Sequence, residues 1–118
     1  MLHSSRFDGQ PLANADSIAA ITAALQVHPI DPRGLGPFAE SYESDQHSFD
    51  HPFGISQVAT AMAWLGDGNL RKHKGVGSYG LKHHAERWGR EEGLSVYVSN
   101  GAMLIALHAF GKNIAQYG

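Results

Sequence analysis

Apolar residues recur at helical spacing in four stretches of the chain and lose any regular spacing between the first two. In ADSIAAITAALQV, residues 15 to 27, Ile18, Ile21 and Leu25 fall at i, i+3 and i+7, with Asp16 or Ser17 able to cap the start and Pro29 to stop the helix. ISQVATAMAWL, residues 55 to 65, aligns Ile55, Val58, Met62 and Leu65, and Gly66 follows as a natural left-handed terminator. SYGLKHHAERW, residues 78 to 88, places Leu81, Ala85 and Trp88 on one side, with Ser78 set to accept from the first free amides. AMLIALHAF, residues 102 to 110, is apolar nearly all round; capped by Ser99 or Asn100 and closed by Gly111, it predicts a helix at the centre of the core, with the 78–88 helix lying across it.

The remaining segments predict connections. From Pro29 to Gly54 prolines and glycines break every period, which predicts a long irregular loop with one short helical turn near Ala39 to Ser44. A loop of that length in a small domain is usually functional or mobile. LSVYV, residues 94 to 98, alternates enough for a short extended piece. The expected fold is a mostly α, single-domain bundle of about four helices over residues 1–118. In it, 1–54 forms an acidic helix plus an irregular segment, and 55–111 a helical core module.

A chain of 118 residues with 42% hydrophobic content supports one core rather than two. The first residues carry no apolar signal core, and the longest apolar run is well short of the roughly 18 residues a membrane span needs, so no membrane partner is expected. Without cysteine there is no disulfide framework and no thiolate chemistry, which fits a reducing compartment. The net charge of −2 conceals a division: residues 1–70 carry two cations against eight carboxylates, a net −6, and residues 71–118 carry seven against three, a net +4. Such polarity either steers a charged partner to one face or brings the two halves together in the fold.

Gly75, Gly77 and Gly80 form a G-x-G-x-x-G ladder, but the preceding NLRKHK makes no buried strand, so a dinucleotide fingerprint is not supported. A weaker form of the idea survives. Close backbone approach at the glycines, the amides of a helix start and the cations Arg71, Lys72, Lys74 and Lys82 describe a surface that contacts phosphate. A helix-turn-helix reading fails on two counts: eight residues, Arg90 to Tyr97, separate the two helices, and the second is too apolar to read base edges. Eight histidines are present; His47 and His51, with Asp50, Glu43 and Asp45 nearby, offer ligands for a transition metal, although Pro52 argues against placing them on one helix face. No G-x-S-x-G elbow exists, paired Glu91 and Glu92 read as a solvated face, and no catalytic residue, metal or cofactor is assigned.

GSYGLKHHAERWG, followed by YVSNGAMLIALHAFG, resembles a pair of motifs in small proteins encoded by phages, plasmids and integrated elements of proteobacteria. The matching residues are Ser78, Tyr79, Gly80, Leu81, Lys82, His83, Ala85, Glu86, Tyr97, Val98, Ser99, Asn100 and Gly101, within a similarity covering residues 64 to 111. The connection RWGREEGLSV is longer and more charged than in those proteins. The resemblance implies a mobile-element origin and a compact helical module, and it implies no reaction; with no cysteine in the chain, the cytoplasm of a bacterial host is the expected compartment.

The leading expectation is a non-enzymatic binding protein that engages nucleic acid or a nucleoprotein complex through Arg71, Lys72, Lys74, Lys82, His83 and Arg87, all facing outward and unneutralised. The competing class is an inhibitor of a host defence protein, such as an anti-CRISPR, using acidic or basic surfaces. A metal-dependent enzyme centred on His47 and His51 is the third and weaker class.

Overall fold

The computed structural model describes residues 15–94 and 97–118. Helix α4, Asn100–Ala109, lies at the centre, and every residue from Ala102 to Leu107 is fully buried. Its apolar surface on all sides has neighbours on all sides: α1 (Ala15–Val27), α2 (Pro52–Gly66) and α3 (Ser78–Glu91) pack around it, as does a small hairpin. Val58, Ala61, Trp64 and Leu65 of α2 and Leu81 and Ala85 of α3 supply the facing surfaces. Among the described residues the result is a mostly helical bundle of four α-helices, as the spacing predicts. No helix among the described residues is long and apolar enough to cross a membrane.

Helix α1 differs from its predicted stripe. It buries Ser17, Ala20, Ile21 and Ala24, while Ile18 and Leu25 stand 49% and 41% exposed. Small side chains on the inner face let the α1 backbone settle close to α2 and α4, and the larger Ile18 and Leu25 flank that contact.

The predicted irregular loop contains a minimal antiparallel hairpin, β1 (Ile30–Asp31) with β2 (Gly34–Leu35), paired Ile30 to Leu35 and Asp31 to Gly34. The Asp31 carboxylate accepts from the Arg33 amide at 2.8 Å and grips its guanidinium at 2.7 Å, closing the turn. The first turn of α4 rests on this hairpin. Gly101 N–H donates to the Pro32 carbonyl at 3.2 Å, and a Cβ at Gly101 would overlap the Asp31 carbonyl oxygen, so only glycine fits. No helical turn forms at 39–44.

The helix boundaries also depart from expectation. α2 begins at Pro52, with His51 Nδ1 accepting from Phe53 N–H at 3.1 Å as its cap. Gly66 stays inside α2, and the left-handed residue that ends the run is Gly68, at φ +79°. Ser99 caps α4, its hydroxyl accepting from Ala102 N–H at 3.0 Å. Ser78 does not cap α3: Gly77 holds that position, and the Ser78 hydroxyl donates instead to Asn100 Oδ1. Of the extended piece expected over 94–98, Ser95 and Val96 lie outside the described residues, and Leu94, Tyr97 and Val98 belong to no strand.

Candidate nucleic-acid interface

A 3₁₀ turn over Asn69–His73 carries Arg71 and Lys72, and Lys74 follows it. The turn is fixed by ring stacking: His73 lies 5.7 Å from Trp64 of α2 on one side and 3.9 Å from His84 of α3 on the other. Burial, then the neighbouring His73, Arg87 and His83, hold His84 below its usual pKa. Arg71, Lys72, Lys74 and Arg87 are exposed, and among the described residues no carboxylate pairs with any of them.

Lys82 departs from the expected contact face. It is 3% exposed, donates from Nζ to the Tyr97 hydroxyl at 2.9 Å and lies 3.6 Å from Glu86 Oε2. The ammonium also sits 4.0 Å from the Tyr97 ring centre and 5.4 Å from that of Tyr79. Glu86 Oε2 accepts from Val98 N–H at 3.0 Å, and Oε1 lies 3.2 Å from His83 Nδ1. A buried cation demands paired, hydrogen-bonded anions, and here the pairing ties α3 to the chain leading into α4. Lys82 therefore holds the fold together and does not reach phosphate. His83 stays exposed at the edge of the face, with Glu86 beside it.

The start of α3 is likewise less open than the sequence suggests. Its first amide, Ser78 N–H, donates to the Tyr117 carbonyl at 2.8 Å, so the helix entrance is partly closed by the chain's own last residues.

The other motif residues assemble a second cleft. Gln57, 1% exposed, accepts from Ser99 N–H at 3.0 Å through Oε1, which leaves its amino group facing His47 Nδ1 at 2.8 Å. His47 Nδ1 must then be the acceptor, which places the ring proton of neutral His47 on Nε2. Its ring meets Tyr97 edge-on at 5.1 Å, and the two line a cleft of about 440 Å³ with Pro32, Arg33, Tyr42 and Ser99. Burial first, then a 2.7 Å bond to Asp45, pushes the Tyr42 hydroxyl up to about 12, and the same bond holds Asp45 below the usual carboxylate range. The metal reading of this region does not assemble: His47 Nδ1 faces Gln57, His51 Nδ1 caps α2, and among the described residues no three His, Asp or Glu side chains form a metal-holding group.

One feature beside the basic turn escaped sequence reading. A cavity of about 450 Å³ is lined by Leu65, Leu70, Phe110 and Tyr117 together with the cations Arg71, Lys74 and Lys112. The only local signal is Phe110-Gly111-Lys112, an aromatic and a cation around a helix-ending glycine at φ +76°. No protein-family model, curated protein or solved structure matches the chain.

Proposed function

We propose that the protein is a small, non-enzymatic binding protein that engages nucleic acid, alone or in a nucleoprotein complex, by phosphate contacts from Arg71, Lys72, Lys74 and Arg87. One observation supports this above the rest: these four cations are exposed and have no carboxylate mate among the described residues. Such groups remain hydrated and available, and each phosphate they neutralise releases condensed counterions. The motif resemblance adds a mobile-element setting to the same reading.

Binding of mixed-sequence DNA and RNA, measured by fluorescence anisotropy across a salt series, tests the proposal. Affinity should fall steeply with salt, and Lys72→Ala should lower the log–log slope by about one. Absence of binding to either polymer at low salt overturns the reading. The second class, an inhibitor of a host defence protein, then takes its place, favoured by the exposed acids Glu40, Glu43 and Asp50 in the loop before α2.

A further inference from the structure

The cavity beside the 3₁₀ turn has an apolar interior and a cationic rim, and the two together restrict what fits it. Buried Leu65 and half-buried Leu70 line it, as does Phe110, which is 43% exposed. Arg71, Lys74 and Lys112 are its charged lining residues, and among the described residues no carboxylate lines it. Gly68 has φ +79° and lacks a side chain, so the Arg71 guanidinium lies close over its backbone at the cavity edge. A purely apolar occupant would leave three cations unmatched, and a bare anion would leave the apolar walls wet.

We propose that this cavity receives one unstacked base of a single-stranded nucleic acid, while Arg71, Lys74 and Lys112 hold the phosphates on either side of it. The inference rests on the nucleic-acid reading above and narrows it to one class of ligand. A nucleotide in a single strand joins a planar apolar body to flanking negative charge, which is the complement of this site. In a duplex the base faces are covered by their neighbours, so a duplex offers only its phosphates to the rim and nothing to the interior. Aromatic contact with a base is largely indifferent to which base it is, so little sequence preference is expected.

The test compares three probes of equal length at one low salt concentration: oligothymidylate, an abasic deoxyribose-phosphate strand, and a mixed-sequence duplex. Oligothymidylate should bind roughly tenfold more tightly than the abasic strand. Phe110→Ala should abolish that difference, bringing oligothymidylate down to the affinity of the abasic strand. Lys112→Gln should weaken oligothymidylate and the abasic strand by the same factor. If all three probes bind equally, or Phe110→Ala leaves oligothymidylate binding intact, the base-receiving cavity is refuted while the phosphate surface stands. If none of the three binds, the nucleic-acid reading falls and takes this inference with it.

Discussion

Lys82 shows how far a single residue can mislead when it is read beside its neighbours in sequence. In a run with Arg71, Lys72 and Lys74 upstream and Arg87 downstream it looks like one more surface cation. It sits one position from Leu81, however, close enough to the apolar stripe of α3 to be carried inward, where Tyr97 and Glu86 meet it. Both partners of this ion pair are nearly excluded from water, at 4% and 9% side-chain exposure, so removing one leaves a charge without compensation. Lys82→Met should destabilise the protein by about 3–5 kcal/mol in urea unfolding, and Lys82→Met with Glu86→Gln should recover most of that loss. Additive losses would show that the two side chains do not act as a pair. None of this was legible locally, since the Tyr97 and Val98 contacts come from across a connection whose path the sequence does not specify.

At the level of elements, the four helices were legible because each carries its own period or cap, and Ser99 is the clearest case. What the pattern could not supply was the depth of packing: the α1 face is chosen by small residues at the contact, which a hydrophobic stripe does not register. Strands of two residues are too short to show alternation, so the hairpin was invisible, yet it sets how α4 begins. Gly101→Ala should therefore lower unfolding stability by at least about 2 kcal/mol, because the new methyl group meets hairpin backbone that cannot turn aside. The stack of Trp64, His73 and His84, which ties α2, the basic turn and α3 together, carries a pH dependence. The folded state resists protonating His84, while the unfolded chain takes up that proton near the ordinary value of 6.5. Its contribution to stability is complete above 6.5 and is lost as pH falls from there toward the lower folded value. Urea midpoints on the two sides of that range should differ less in His84→Gln than in the parent protein.

Across the whole molecule, the charge division read from the sequence left two outcomes open, steering of a partner or mutual neutralisation. Among the described residues, the pairs Arg33 with Asp31, Lys82 with Glu86 and His83 with Glu86 each close within one half of the chain, and none of them engages a cation of the 3₁₀ turn. Reversing one of them, Lys74→Glu, should weaken polyanion binding and flatten its salt dependence without shifting the thermal midpoint, since Lys74 is exposed and unpaired among the described residues. The cavity was not foreseeable, because its walls come from Leu65, Leu70, Phe110 and Tyr117, which only the fold brings together. The bond between Gln57 and His47 gives the fold a built-in gauge. With its oxygen anchored on Ser99, the Gln57 amide can show the imidazole only hydrogen, so His47 Nδ1 accepts a hydrogen bond while the long loop is seated against α2. A nitrogen resonance from that one ring would then report loop docking in solution, whichever partner the protein turns out to hold.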